Sequence, residues 1–133
     1  MGAAIDAAQK IVWSAGSDNL VVVAKGPSTA VVGVDRVYVP MSGPASLATA
    51  GSGDVLAGIL AGIVATSHDS VEDWGLLTSY AVAIHSYTGY AAAELMGSRS
   101  VIATDLIDLI GSAMQLVEDE AFREARDAAE KGE

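Results

Sequence analysis

The sequence predicts an α/β domain, on three observations. Leu20-Val21-Val22-Val23-Ala24 is a short, continuous, β-branched apolar run, the pattern of a strand buried on both faces of a parallel or mixed sheet. Helical periodicity flanks it, and a Gly-Ser-Gly-Asp turn at residues 51–54 runs straight into an apolar helix. The length of 133 residues suffices for one domain, and 51% hydrophobic against 18% charged side chains excludes a disordered chain.

Each element follows from local pattern. Between Ala3 and Ala15, Ile5, Ala8, Val12 and Trp13 recur at about helical spacing, and Gly16 offers a stop. After the strand at Leu20–Ala24, Lys25-Gly26-Pro27-Ser28 breaks the chain. Two β-rich segments, Thr29–Val34 and Arg36–Val39, then predict a hairpin closed by Pro40. Met41–Ala50 is rich in Ser, Gly, Pro and Ala without a steady period, which reads as a loop. In the helix that follows Gly53, the large side chains of residues 55–64 occupy one broad face, while Gly58 and Gly62 share a strip that a second backbone could approach. Ser67–Asp73 is a polar connection, with His68 read as a surface residue. Trp74–Met96 predicts a second, largely buried helix ended by Gly97. Thr104 is placed as the N-cap of a third helix through Leu106, Ile107, Ile110 and Met114, with Asp105 favourable in its first turn. Glu118–Glu133 carries seven acidic and three basic residues, so the domain is expected over residues 1–117 with an acidic helical or frayed tail over 118–133.

Composition excludes several function classes. Seventeen acidic against seven basic side chains leave a net charge of −10, which repels nucleic-acid phosphate and anionic lipid alike. With no cysteine there is no disulfide framework, thiolate nucleophile or zinc–thiolate site, in keeping with a cytoplasmic protein. The N-terminus shows no export or lipidation pattern, and Asp6 stands where a myristoylation signal requires Ser or Thr. The longest apolar run, Val55–Ala65, falls short of the ~18 residues needed to span a membrane.

The sharpest feature is Ala48-Thr49-Ala50-Gly51-Ser52-Gly53-Asp54. Glycines let the backbone turn tightly, and the unpaired N–H groups of a helix's first turn converge with the positive end of its dipole. Gly51, Ser52 and Gly53 thus form a candidate anion hole suited to phosphate. A carboxylate at Asp54 would repel a stored phosphate. It makes sense as a base that takes a proton from a hydroxyl while nearby N–H groups stabilise charge developing on a phosphoryl group. The bare string serves equally as an ordinary loop with Asp54 as a helix-terminal charge. It is neither a P-loop, which needs a following Lys-Ser/Thr, nor a dinucleotide fingerprint, which needs a third glycine.

The longer stretch Leu47-Ala48-Thr49-Ala50-Gly51-Ser52-Gly53-Asp54-Val55-Leu56-Ala57-Gly58-Ile59-Leu60-Ala61-Gly62 resembles the signature of the ADP/ATP-dependent NAD(P)H-hydrate dehydratases of the ribokinase-like superfamily. Val21–Thr29 is similar to that family's strand and Lys-Gly-x-x-Thr loop. Ile84-His85 with Gly89, and Ala103-Thr104-Asp105-Leu106, are similar to its following helices. The likeness runs over about residues 3–116 and covers the C-terminal half of the family's catalytic domain.

The resemblance implies the C-terminal portion of a three-layer α/β/α ribokinase-like fold. It also implies an enzyme that uses ADP or ATP with Mg²⁺ to dehydrate S-NAD(P)H hydrate to NAD(P)H. By position, Lys25, Gly26, Pro27, Ser28 and Thr29 would contact the adenine nucleotide, Gly53 would contact AMP through its backbone, and Asp54 would be the catalytic residue facing the hydrated nicotinamide ring. Pro44-Ala45-Ser46 replaces the family's usual Asn-Pro-Gly turn, and Thr88-Gly89-Tyr90 replaces a common Ala-Gly-Asp step. Nothing matches the family's N-terminal half. Two other readings stay open: a small-molecule kinase of the same superfamily, although such kinases more often follow the Gly-Asp with a Thr and an aromatic residue than with Val55-Leu56, and, from the unmatched N-terminal half, a catalytically incomplete nucleotide-binding fragment. A sheet edge without its neighbours implies a homo-oligomer or association with a missing N-terminal half.

Lys25 alone would be a solvated turn lysine; ahead of a phosphate-type loop it becomes a partner for ADP charge. His85, among Ala83, Ile84 and Tyr87, is expected to be a hydrogen-bonded core histidine. The two histidines lack companion carboxylates at ligand spacing, so no protein metal site is expected and Mg²⁺ would ride on nucleotide phosphates.

Overall fold

A computed structural model describes residues 1–67 and 71–131, which leaves His68 outside the described residues. The elements run α1 (Gly2–Ala15), β1 (Val22–Ala24), β2 (Ala30–Val32), β3 (Val37–Tyr38), a 3₁₀ turn (Ala45–Leu47), α2 (Ser52–Ser67), α3 (Trp74–Met96) and α4 (Ala103–Lys131). The strands form one antiparallel sheet in the order β1-β2-β3.

Strand alternation divides the sheet between two helical layers. Val22, Ala24, Ala30 and Val32 point to one face, where Ala8 and Val12 of α1 cover them. Val23, Val31 and Tyr38 point to the other, against Leu56 of α2 and Val82 of α3. The order α1, sheet, α2 with α3 is the three-layer α/β/α arrangement expected. A third core joins Val55, Ile59 and Ile63 of α2, Ala81, Ile84 and Ala92 of α3, and Leu106 and Ala113 of α4.

Two local expectations hold, the stop at Gly16 and the hairpin, and further side-chain caps and bonds accompany them. Gly16 caps α1 in the left-handed conformation at φ 61°, returning its N–H to Trp13 O. The hairpin closes with Gly33 N–H donating to Arg36 O at 2.9 Å. Asp73 caps α3, its carboxylate accepting from Leu76 N at 3.0 Å. Buried hydroxyls inside α3 are satisfied by its own carbonyls, as Thr78 is by Trp74 O and Thr88 by Ile84 O.

Four differ. β1 pairs antiparallel, and it is only half-buried because one of its edges has no partner among the described residues. The doubly buried strand is β2, with Val31 and Val32 both at 0% exposure. Gly58 and Gly62 lie on an exposed strip, and a β-carbon at either would meet nothing within 4 Å. Large residues at 55, 56, 59 and 63 take the whole buried side of α2, so no backbone comes close to the glycines. Thr104 is not the cap of α4: the helix starts a residue earlier, and Asp105 reaches back to accept from Ile102 N at 2.9 Å, one half of a capping box. The helix then runs without interruption past Val117, where Tyr80 Oη donates to Glu118 at 3.1 Å and Tyr87 Oη donates to Glu120. Both phenols titrate above their ordinary range, Tyr80 chiefly through burial and Tyr87 chiefly through the bond to Glu120.

Candidate functional site

The site forms where the carboxyl end of β1 meets the amino end of α2. β1 delivers Lys25, and Gly51, at φ 84°, turns the chain into α2. Gly51 O accepts from both Asp54 N (3.0 Å) and Val55 N (3.1 Å), and Thr49 O takes Ser52 N at 3.3 Å. The Gly53 N–H is left with no acceptor among the described residues.

Lys25 lies over that amide. A β-carbon on residue 53 would come within 2.5 Å of Lys25 Nζ, so only glycine admits the ammonium at this spot. Lys25 makes no ion pair among the described residues. A cation at the positive end of a helix is unfavourable unless an anion lies between them. Lysine and free amide together are therefore built for an anion.

Lys25, Gly26, Pro27 and Thr29 line one cavity of about 630 Å³ together with Ser52 and Gly53. Its other wall is apolar, from Pro44, Leu47, Leu56 and Val82. Ser28, unlike its neighbours, is not among the lining residues; its hydroxyl is 3.1 Å from Ser42 Oγ, which ties the β1–β2 loop to residues 41–47. That second loop is fastened to α3: Ser46 Oγ donates to Gly89 O at 2.8 Å, Ser86 Oγ to Met41 O at 3.1 Å, and Tyr90 Oη to Ser42 O at 3.1 Å. Pro44-Ala45-Ser46, two of whose residues line the cavity, thus meets Gly89, so the two places where the sequence departs from the family pattern are in contact.

Asp54 stands on the opposite side of the α2 terminus. It is exposed and, with Gly51, Gly58, Ala103, Ile107 and Ile110, lines a separate apolar groove of about 470 Å³ between α2 and α4. Gly53 among the candidate nucleotide residues and the candidate base Asp54 are consecutive, yet they line different cavities on the two sides of the helix terminus.

His85 is a site residue that sequence reasoning assigned to the core alone. It is buried and hydrogen-bonded as expected, yet its partner is the site itself: Nε2 lies 3.0 Å from Ser52 O and 3.1 Å from Ser52 Oγ. Burial, and then the Lys25 charge, push its pKa below the ordinary histidine value, against an opposing effect of the bond to Ser52. Its place six residues before Ala91 on an apolar helix carried no hint of this, because the contact spans 33 positions.

Among the described residues no cluster of three or more His, Cys, Asp or Glu could hold a metal. A magnesium ion at such a site would be held mainly by nucleotide phosphates, since Mg²⁺ takes few protein ligands in nucleotide sites.

A lysine, an open helix amide and a glycine turn meet at the edge of a three-layer α/β fold, an arrangement whose charge and donors suit an anion. The model of the NAD(P)H-hydrate dehydratase family matches residues 6–112, and the chain belongs to that family. It is 34% identical over 101 residues to a bifunctional NAD(P)H-hydrate repair enzyme Nnr of Moorella thermoacetica, which covers 75% of this chain and 18% of that protein. It is 31% identical over 96 residues to an ADP-dependent (S)-NAD(P)H-hydrate dehydratase of Cenarchaeum symbiosum, covering 72% of this chain and 32% of the other. The chain thus spans less than a third of either curated relative. In fold it is similar to an ADP/ATP-dependent NAD(P)H-hydrate dehydratase of Bacillus subtilis co-crystallised with ATP and Mg²⁺, with a TM-score of 0.69, 23% identity, and 85% of this chain and 39% of that one covered.

Proposed function

We propose that this chain is the nucleotide-binding and proton-abstracting part of an ADP- or ATP-dependent NAD(P)H-hydrate dehydratase. The observation that carries the reading is the grouping of Lys25, Gly26, Pro27, Thr29 and the free Gly53 amide on one cavity, with Asp54, the next residue of the same helix, on the adjoining groove. Lys25 and Gly53 hold the phosphates of the adenine nucleotide, and Mg²⁺ bound to those phosphates would offset their charge. Pro44, Leu47 and Val82 give the adenine ring an apolar wall.

Asp54 takes the proton of the hydroxyl on the hydrated nicotinamide ring as that oxygen attacks the terminal phosphoryl group. The bond to the leaving phosphate breaks, giving AMP from ADP or ADP from ATP. The ring nitrogen lone pair then expels phosphate from the neighbouring carbon. Loss of a proton from the adjacent ring carbon restores the dihydropyridine.

The test is formation of NADH from its S-hydrate with ADP or ATP and Mg²⁺, in the wild type and in Asp54→Asn. Turnover that stops in Asp54→Asn while nucleotide still binds supports the assignment, and undiminished turnover removes Asp54 from the chemistry. A phosphorylated product that accumulates would identify a small-molecule kinase instead.

The second reading, a catalytically incomplete nucleotide-binding unit, is favoured by the open groove beside Asp54, where Ile107 is 54% exposed. The unpaired edge of β1 and the bare small-residue strip of α2 suit a homo-oligomer or a complementary segment. No helix among the described residues is long and apolar enough to cross a membrane. We assign the protein to the cytoplasm, which the absence of cysteine and the nicotinamide substrate support. A chain that is monomeric by light scattering and turns over the hydrate by itself excludes the incomplete reading.

A further inference from the structure

The candidate nucleotide site depends on which way one peptide faces. Ser52 O and Gly53 N–H belong to the same peptide unit, which is planar and trans, so its carbonyl and its N–H point in opposite directions. A group that fixes the carbonyl therefore aims the amide. Ser52 O is the first carbonyl of α2 and is directed along the helix axis, and His85 Nε2, at 3.0 Å, anchors it from α3 as well. A carbonyl oxygen can only accept, so Nε2 carries the proton and Nδ1 is bare. All buried side-chain nitrogens among the described residues have partners. Nδ1 of this ring has no partner among the described residues, so it is not fully buried, and His85 is one of the residues that line the cavity.

We propose that His85 is a positioning residue: by holding the Ser52 carbonyl from α3 it aims the Gly53 N–H at the anion that Lys25 faces. This rests on the reading of the α2 terminus as a phosphate site, but not on the dehydration chemistry. Residues on two elements set one donor from opposite sides, His85 through the carbonyl and Lys25 through the anion. The contact also explains a buried polar residue in the middle of α3, at a position where Ile84 and Val82 pack fully.

The test uses the full chain. Ring ¹⁵N spectra of wild type are expected to show His85 protonated at Nε2 and bare at Nδ1; protonation at Nδ1 alone overturns the proposal. Inorganic pyrophosphate and MgADP are then titrated while the Gly53 amide resonance and the binding heat are followed. His85→Leu is expected to weaken both ligands roughly three- to tenfold, the worth of one hydrogen bond. His85→Gln, which keeps an N–H at similar reach, is expected to remain within about threefold of wild type. Wild-type affinity in a folded His85→Leu, or a folded His85→Gln as weak as the leucine variant, overturns it. So does a Gly53 resonance that pyrophosphate leaves unmoved in wild type. If pyrophosphate binds as described but hydrate is not turned over, the proposed reaction fails and the role of His85 stands.

Discussion

The Lys25 ammonium lies against the backbone of Gly53, close enough that a methyl group there would collide with it at 2.5 Å. The contact joins the end of β1 to the start of α2 and places a full positive charge beside a free helix amide. Gly53 has no positive φ, so alanine suits its backbone and would improve helix propensity. The displaced group is the far end of a flexible, exposed side chain, which can swing away at little cost.

Gly53→Ala is therefore expected to melt at or slightly above the wild-type temperature while MgADP affinity falls. Lys25→Met is expected to weaken MgADP by roughly tenfold or more, since charge-assisted hydrogen bonds contribute about 1.5–3 kcal/mol. Calorimetric titration at two salt concentrations checks both. The salt dependence should shrink in Lys25→Met, because the removed charge is the one that salt screens.

Gly89 gives a second case in which a neighbouring loop dictates glycine. A β-carbon there would approach Leu47 Cγ to 2.6 Å and Pro44 Cγ to 3.0 Å. Unlike Lys25, these atoms belong to a docked loop whose Ser46 is bonded to the Gly89 carbonyl. Gly89→Ala is expected to cost about 1–3 kcal/mol by overpacking. Leu47→Ala in the same chain should recover part of that loss, so the two changes will not add. Urea unfolding of both single variants and the double variant measures the coupling.

How much of this was legible in the sequence depends on the range of the interaction. The strand at Leu20–Ala24, the hairpin after Thr29 and the helix after Gly53 each follow from a local pattern of apolar and turn residues, and each stands where it was expected. The Lys25–Thr29 loop and Gly53 share a cavity, in keeping with a resemblance that supplied what composition could not. Burial was less readable. The run of β1 looks doubly buried, but burial belongs to β2 because that strand alone has neighbours on both edges. Gly58 and Gly62 look like a packing strip, yet whether a backbone lies over them is a question of tertiary partners. His85 was seen as a core histidine, and its partner Ser52 lay outside any sequence window.

Asp73 shows how one carboxylate can hold two elements. It caps α3 through Leu76 N, accepts from Tyr38 Oη on β3, and pairs with Arg36 at 3.2 Å. The bond to Tyr38, then the backbone bond to Leu76, hold its pKa below the ordinary carboxylate value of 3.8. Asp73→Ala is expected to destabilise by about 1–2 kcal/mol through the lost cap. Asp73→Asn, which can still cap, should lose less. Thermal melts near neutral pH separate the two.

The acid side of the stability profile should show two windows with the same sign. A group whose folded pKa is depressed binds fewer protons folded than unfolded, so stability falls as pH falls through that interval. For His85 the interval starts at its unfolded value of about 6.5 and extends downward, because burial and the nearby Lys25 oppose the charged imidazole. For Asp73 it starts at 3.8 and extends downward. Urea midpoints are therefore expected to be level above about pH 7 and to decline below it, before any carboxylate titrates. His85→Gln removes the titrating group while keeping an N–H for Ser52, so it should flatten the decline between about pH 6.5 and pH 5 and leave the steeper loss below pH 4 in place. A wild-type midpoint that rises on acidification through the first window would mean that His85 is stabilised as the cation. The neutral Nε2–H form that holds Ser52 would then be the wrong assignment.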